Sequence, residues 1–222
     1  MDWTALWLSL RLAGMTILIL LPVGILAGRW LACHEFRGKV VAEALVALPL
    51  VLPPTVFGYY LLVILGAASP IGHWWQAVFG QPLVFTFTGL LLASIIFNLP
   101  FAIQPIQRAF EAIPADVREA AACCGMTPWQ ALSRVELPLA WPGILTAMVL
   151  SFAHTLGEFG IVLMVGGSIP GETRTIAIAI YDRVQAFDNA AAAQMSAFLL
   201  AISLVTIALT FAFSRRIGRR LG

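Results

Sequence analysis

The sequence has 222 residues, of which 60% are hydrophobic and 11% are charged, and its formal net charge is +2. A soluble domain of this length cannot bury so much apolar surface, so the composition excludes a water-soluble globular protein and indicates one embedded in lipid. The small net charge gives no indication of a nucleic-acid partner, and none is expected.

The N-terminus has no basic residue before its first apolar run, so a cleaved signal peptide is not expected there. The amphipathic segment Trp3–Arg11 is predicted to lie along the membrane interface. Five later stretches are apolar and long enough to cross the hydrocarbon core, which takes about twenty helical residues. They are approximately residues 12–31, 44–65, 83–106, 141–165 and 191–213. The sequence therefore predicts an all-α integral membrane protein with one transmembrane domain over residues 1–222.

The lysines and arginines are distributed unevenly between the segments that connect these spans, and this bias sets the orientation. If the N-terminus lies outside, the inner segments contain most of them, namely Arg29, Arg37, Lys39, Arg108, Arg118, Arg134, Arg215, Arg216, Arg219 and Arg220. The outer segments contain Arg11, Arg174 and Arg183. We therefore expect the N-terminus outside and the C-terminus in the cytoplasm.

Prolines interrupt two of the predicted spans. Pro53 and Pro54 lie in the second span, shortly before Gly58, and Pro100 and Pro105 lie in the third. Proline removes a helix hydrogen bond, and the freed carbonyl is costly in lipid unless protein or a water-filled cavity satisfies it. We therefore expect broken helices at these points, with the Pro53, Pro54 and Gly58 region lining a pathway. Ordinary kinking between packed helices is the alternative.

Residues 108–138 form a polar, helix-prone segment on the side predicted to be cytoplasmic. Asp116 suits the first turn of a helix, where an acid is favourable. Gly125 is expected to end that helix, and Thr127 and Pro128 are expected to begin another as its N-cap and first residue. The second helix would continue into the fourth span, so a force on the first helix would reach that span.

The spacing in this segment resembles the E-A-A loop of ABC importer permeases. The matching positions are Glu119, Ala120, Ala121, Gly125, Val135, Leu137 and Pro138, with Val where Ile is usual. The resemblance implies a helix that docks on a separate ATPase subunit. The candidate coupling residues are Asp116, Arg118, Glu119, Ala120, Ala121, Gly125, Leu137 and Pro138. A solvated surface helix without a partner is the alternative.

The chain itself lacks the phosphate-binding pattern G-x-x-x-x-G-K-[ST], because Lys39 follows Gly38 but precedes Val40. ATP and magnesium are therefore expected on partner ATPase subunits, and paired ATPases suggest a permease homodimer. An odd number of cysteines does not indicate a disulfide framework. Cys123 and Cys124 are adjacent but have no second pair or nearby histidine, so no metal site is expected.

Glu158 is the only carboxylate deep in a predicted span, about 25 Å along a continuous fourth helix that begins near Trp141. An ionisable residue at this depth is a functional candidate by default. His154 lies one turn earlier and is expected to pair with it. The candidate gate residues here are Gly157, Glu158, Phe159 and Gly160. A structural ion pair or a buried protonated acid is the alternative.

Residues 166–175 are predicted to form an outer loop, because they contain Gly-Gly-Ser and Ile-Pro-Gly-Glu-Thr turn sequences. Pro170, Glu172 and Arg174 are candidates for contact with an external binding protein, although an arginine just outside a membrane needs no such role. The basic tail Arg215–Arg220 is expected to contact anionic lipid.

Three further segments resemble the molybdate and sulfate permeases of bacterial ABC importers: Pro49–Pro54, Leu156–Gly160 and Ile169–Thr175. The resemblance covers nearly the whole chain, and the short length favours the molybdate branch. It implies the type I ABC importer permease fold in the bacterial inner membrane. It also implies a complex of two permeases, two ATPases and a periplasmic molybdate-binding protein.

Other functions fit the sequence less well. A permease for sulfate, thiosulfate or tungstate is the nearest alternative, since the binding protein normally sets selectivity. A proton-coupled carrier is expected to contain more buried ionisable groups. An intramembrane enzyme would need a nucleophile and a base, but Ser151 and His154 lack a supporting motif. No catalytic residue is expected.

Overall fold

The protein is described by a computed structural model, which gives the backbone of residues 1–221 and the side chains of residues 1–208 and 212. The described backbone is helical and contains no strand. Its elements are α1 Trp3–Cys33, α2 Lys39–Val51, α3 Pro54–Leu65, α4 Pro70–Phe79, α5 Phe87–Glu111, α6 Ala115–Cys123, α7 Pro128–Ala131, a π-helical segment Leu132–Glu136, α8 Leu137–Gly157, α9 Gly160–Gly166, α10 Ile176–Gln185 and α11 Asn189–Leu221.

Within the described residues, four helical stretches are long and apolar enough to cross a membrane: α1, α5, Pro128–Gly157 and Asn189–Ala208 of α11. The pair formed by α2 and α3 passes the same test but is bent by 112°. The break that two successive prolines predict therefore occurs at Leu52 and Pro53, where the backbone is extended.

The helices α1, α5 and α8 pack against one another and form the centre of the bundle. A buried cluster between them, at the end nearest α6, includes Ile106, Phe110 and Ile144. A Cβ atom on Gly28 would lie 3.0 Å from the backbone nitrogen of Gln107. Glycine at this position therefore lets α1 approach the backbone of α5 closely.

The first helix differs from the prediction, because Trp3–Arg11 forms the first turns of α1 instead of a separate interfacial segment. Asp2 caps this helix by accepting a hydrogen bond from the N–H of Ala5 at 2.9 Å. Leu6 and Leu8 are buried against neighbouring helices. Tertiary packing on these side chains explains why the helix is continuous from Trp3.

The predicted break in the third span is wrong, because α5 runs from Phe87 to Glu111 through both Pro100 and Pro105. A proline removes only one hydrogen bond from a helix, and α1 and α8 pack along this one. A Cβ atom on Gly143 of α8 would lie 2.7 Å from the carbonyl oxygen of Pro105, so the two helices are in close contact there. Packing of this kind holds α5 together.

Two short helices, α4 and α10, lie between the predicted spans, in segments for which the sequence analysis predicted no helix. Ser69 caps α4 by accepting a hydrogen bond from the N–H of Gly72 at 2.9 Å, and Pro70 is its first residue. The N–H of Ile176, which begins α10, donates to Ser9 on α1 at 2.8 Å. The start of α4 could have been predicted from the Ser69-Pro70 pair. The start of α10 could not, because it is fixed by a hydrogen bond to Ser9, which is far away in the chain.

Candidate functional site

The polar segment folds as two short helices joined by a tight turn, as the sequence predicted. Gly125 has a φ of +73°, and its N–H donates to the carbonyl of Ala122. The N–H of Met126 donates to the carbonyl of Ala121, which completes a Schellman cap on α6. Thr127 and Gln130 then form a reciprocal capping box at the start of α7. The angle between the two helices is therefore set by the backbone bonds of the Schellman turn together with the side-chain caps of Thr127 and Gln130.

The candidate coupling residues of α6 divide between two faces. Asp116, Glu119 and Ala120 are exposed. Ala121 is buried and Arg118 is half-buried, so these two side chains face the rest of the chain. The exposed face of α6 consists of acidic and small side chains, whereas its inner face packs against the bundle.

Leu137 and Pro138, the Leu-Pro pair, lie where the π-helical segment meets α8. The N–H of Leu137 bonds to the carbonyl of Leu132, five residues earlier. Pro138 has no N–H and cannot continue the α-helical bonding pattern across this point. The result is a widened turn directly before α8, of a type that is frequent at functional sites.

Glu136, which the sequence analysis did not single out, lies on this widened turn and is only 3% exposed. Its carboxylate accepts hydrogen bonds from Nε and Nη2 of Arg29 on α1, the second at 3.2 Å. Arg118 of α6 places its Nε 3.7 Å from the same carboxylate. A charged residue beside the Leu-Pro pair was visible in the sequence, but its partner is 107 residues away.

The structure brings together the two sets of predicted pathway residues. A Cβ atom on Gly160 would lie 3.0 Å from the Cβ of Pro54, and one on Gly58 would lie 3.1 Å from the Cα of Ile161. Helices α3 and α9 therefore touch along their backbones. Leu61 and Ile161 belong to the buried cluster at this contact.

The predicted continuous fourth span is wrong, because α8 ends at Gly157 and a new helix begins at Gly160. Glu158 and Phe159 form the break. The Glu158 carboxylate accepts a hydrogen bond from the N–H of Ile161 at 3.1 Å. The acid therefore satisfies an N–H in the first turn of α9 that has no partner within the helix, which is a physical reason for a helix break at this residue.

A chain of polar side chains leads from Glu158 into the bundle. Nε2 of His154 lies 3.9 Å from Glu158, so the predicted neighbours do approach each other. Nδ1 of His154 lies 3.1 Å from Oδ1 of Asn98, which is fully buried. The Asn98 amide donates to the carbonyl of Ser94 at 2.8 Å, and Thr16 donates to the Ser94 hydroxyl at 3.1 Å. The network joins α1, α5 and α8.

The network reaches the surface of the chain at its His154 and Glu158 end. An open groove of about 370 Å³ lies beside it, and its lining includes Phe101, Leu150, His154, Gly157 and Glu158. The rings of Phe101 and His154 are 4.1 Å apart. The ring contact fixes the imidazole at the wall of the groove.

Two of the three candidate docking residues in the outer loop are exposed, whereas the third is held in an ion pair. Pro170 and Glu172 are exposed. Arg174 is half-buried, and its Nη2 donates to Asp182 on α10 at 2.6 Å. The N–H groups of Glu172, Thr173 and Arg174 all donate to the carbonyl of Ile169, so the loop is a compact turn. Arg174 stabilises this turn and is not a free surface charge. The basic tail Arg215–Arg220 lies outside the described side chains.

These features define a multi-pass membrane protein with a polar, well-capped helix pair between two of its spans. Residues 21–219 match the family of binding-protein-dependent transport system inner membrane components. The chain therefore belongs to this family and is a multi-pass inner-membrane component of a binding-protein-dependent transport system.

Individual relatives are also similar over most of their length. The molybdenum transport system permease protein ModB of Azotobacter vinelandii is 47% identical over 93% of this chain and 91% of its own. The sulfate transport system permease protein CysT of Escherichia coli K12 is 32% identical over 89% of this chain and 71% of its own. A bacterial alginate ABC transporter, solved in complex with an alginate pentasaccharide-bound periplasmic protein, superposes with a TM-score of 0.78 at 20% identity, over 96% of this chain and 78% of its own. The structural likeness supports the fold alone.

Proposed function

We propose that this chain is the permease subunit of an ATP-driven ABC importer that carries molybdate across the bacterial cytoplasmic membrane. It works as a homodimer, with its N-terminus outside and its C-terminus in the cytoplasm. Two ATPase subunits bind ATP and magnesium, and a periplasmic molybdate-binding protein delivers the substrate. The chain itself binds no cofactor.

The assignment of molybdate as the substrate rests on the difference in sequence identity to two groups of relatives. Identity to the molybdenum permease of Azotobacter vinelandii is 47%, against 32% for the sulfate permease of Escherichia coli. The sulfate permease also extends further beyond the matched region, since the chain covers only 71% of it. Both comparisons favour molybdate over sulfate.

The exposed face of α6 is the proposed contact with the ATPase. Asp116, Glu119 and Ala120 lie on this face, and Gly125 fixes the angle between α6 and α7. Leu137 and Pro138 begin α8, directly after the π-helical segment that joins it to α7. Movement of the ATPase surface would then be carried by a stiff element into a helix at the centre of the bundle.

The contact between α3 and α9 is the proposed wall of the pathway. Pro53, Pro54 and Gly58 lie on one side of it, and the break from Gly157 to Gly160 lies on the other. Irregular backbone at membrane depth is tolerated where protein buries it or where it lines a cavity. We place the gate at Glu158 and Phe159, against the same region of the second copy.

The outer loop is the proposed contact with the binding protein. Pro170 and Glu172 supply its exposed surface, whereas Arg174 acts by holding the turn through Asp182. This surface and the α6 surface are on opposite sides of the bilayer in the proposed orientation.

The proposal is tested by reconstituting the permease with its ATPase and binding protein in proteoliposomes and titrating molybdate, tungstate and sulfate. Stimulation of ATP hydrolysis by molybdate at much lower concentration than sulfate supports the assignment. A preference for sulfate keeps the importer and overturns the substrate. Failure of any ATPase to assemble with the chain overturns the importer itself.

A further inference from the structure

Glu136 is a buried carboxylate between three elements that the proposed mechanism must move together. It lies on the π-helical segment before α8 and is 3% exposed. Arg29 approaches it from α1 and Arg118 approaches it from α6. A carboxylate in such a position is costly unless it is paired and hydrogen-bonded.

The pair with Arg29 is tight and has a defined geometry. Two nitrogens of the Arg29 guanidinium donate to the two oxygens of Glu136, as in a fork-on-fork contact. A planar fork fixes both distance and orientation, which a single point charge does not. The end of α1 is thereby joined to the start of α8.

The contact with Arg118 is looser. Nη2 of Arg118 donates to the carbonyl of Phe110 at the end of α5. Its Nε is buried without a hydrogen-bond partner and stands 3.7 Å from a Glu136 oxygen, beyond hydrogen-bond distance. A small shift of α6 towards the π-helical segment would close this gap and satisfy the unpaired donor.

We propose that Glu136 is a positioning residue that couples α6 to α1 and α8, with Arg29 as its fixed partner and Arg118 as its movable one. This inference rests on the proposed function, because α6 is taken as the element that the ATPase moves. It adds Arg29, which lies outside the E-A-A loop, and Glu136, which occupies a position that the E-A-A pattern does not specify.

The arrangement explains how a short helix can move two long ones. Beyond the Schellman turn and α7, α6 is attached to the bundle by Val117 and Ala121 and by Arg118. Apolar contacts of this size allow sliding, whereas an ion pair with fixed geometry has discrete arrangements. Tightening of the Arg118 contact would therefore pull the widened turn and α1 as one unit.

The test uses the reconstituted complex of permease, ATPase and binding protein, with two readouts in the same vesicles. One is stimulation of ATP hydrolysis by molybdate-loaded binding protein, and the other is the number of ATP molecules hydrolysed per molybdate imported. Glu136→Gln is expected to lower the stimulation at least about fivefold and to raise the ATP cost of each import, because coupling between sites is commonly of this size.

The control is Arg37→Gln, since Arg37 is exposed and makes no ion pair among the described side chains. It should leave both readouts unchanged.

A second variant separates coupling from folding. Removal of one member of a buried ion pair strands the other charge, whereas replacement of both by apolar residues of similar size is often neutral or stabilising. Arg118 is partly exposed and keeps its hydrogen bond to the Phe110 carbonyl, so it is not newly stranded. Arg29→Met combined with Glu136→Leu should therefore fold and assemble, with a melting temperature near that of the wild type, and still be uncoupled. Normal stimulation and normal ATP cost in this double variant would overturn the inference.

The wild-type complex distinguishes the two ways of failing. If it shows no stimulation by the loaded binding protein, the proposed function fails before Glu136 is tested. If it is stimulated and both Glu136 variants match it, only the positioning role is overturned.

Discussion

The carboxylate of Glu158 accepts a hydrogen bond from the backbone N–H of Ile161 at 3.1 Å. This contact caps α9 at the point where the fourth span breaks, so the acid has a structural function whether or not it closes a gate. Its neighbour His154, at 3.9 Å, supplies the other interaction. The two interactions can be separated, because an amide oxygen retains the cap but cannot ionise.

Glu158→Gln is therefore expected to fold normally and to transport less molybdate. Its amide oxygen can still accept from Ile161, so stability should change by less than about 1 kcal/mol. The substitution replaces an ionisable acid with a neutral amide 3.9 Å from His154 and alters the proposed gate. Molybdate uptake into proteoliposomes and thermal unfolding measure the two effects.

Glu158→Ala provides the comparison. It removes the cap as well as the ionisable group, and the loss of a helix cap costs about 1 kcal/mol. We expect a lower melting temperature than for Glu158→Gln. Full transport and unchanged gating in Glu158→Gln would leave Glu158 with the capping role alone.

Gly160→Ala is expected to destabilise the contact between α3 and α9. The added Cβ would lie 3.0 Å from the Cβ of Pro54 and 3.3 Å from the backbone nitrogen of Thr55. Backbone cannot move aside cheaply, so a cost of about 1–3 kcal/mol is expected. Thermal unfolding of the detergent-solubilised chain measures it.

The matched control is Gly14→Ala in α1, where nothing lies within 4 Å of the added Cβ. Alanine favours a helix interior over glycine by about 1 kcal/mol, so this variant should melt at the same temperature as the wild type or higher. Equal melting of Gly160→Ala and Gly14→Ala would mean that α3 and α9 are not closely packed in the folded protein.

The features that could be predicted from the sequence are those set by neighbouring residues. Gly125 and the Thr127–Pro128 pair specify the turn between α6 and α7 through local capping, and two successive prolines specify the bend between α2 and α3. Long apolar runs likewise predict spans, because about twenty residues are needed to cross the bilayer.

The features that could not be predicted depend on contacts between distant parts of the chain. Pro100 lies inside an unbroken helix because neighbouring helices pack along α5. The break at Glu158 occurs inside an apolar run that reads as one helix. The pair between Arg29 and Glu136 joins residues 107 positions apart, and no local pattern indicates it.

Gly125→Ala is expected to loosen α6 without any steric clash. Gly125 has a φ of +73°, and nothing lies within 4 Å of a Cβ placed there. The cost is therefore conformational, about 1–2 kcal/mol for an L-residue in the left-handed region. Amide hydrogen exchange in α6 should accelerate by about 5–30-fold, which is the change in the folded-to-unfolded ratio for that energy.

Gly125→Asn is the matched comparison, because asparagine tolerates the left-handed conformation better than alanine. Its exchange rates should lie between those of the wild type and Gly125→Ala. If all three proteins exchange alike, the Schellman turn does not limit the stability of α6.

Glu172→Lys is expected to slow the association of the binding protein, whereas Arg174→Gln acts mainly on the loop. Glu172 is exposed, and a charge at the rim of an interface chiefly changes the association rate and its salt dependence. Arg174 is held by Asp182 at 2.6 Å in a partly exposed pair, so its loss should cost no more than about 1 kcal/mol.

Surface plasmon resonance with the complex in nanodiscs measures the association rates of the binding protein. The control is Glu35→Lys, an exposed acid that the proposed orientation places on the cytoplasmic side. Equal association rates for Glu172→Lys and Glu35→Lys would remove Glu172 from the docking surface.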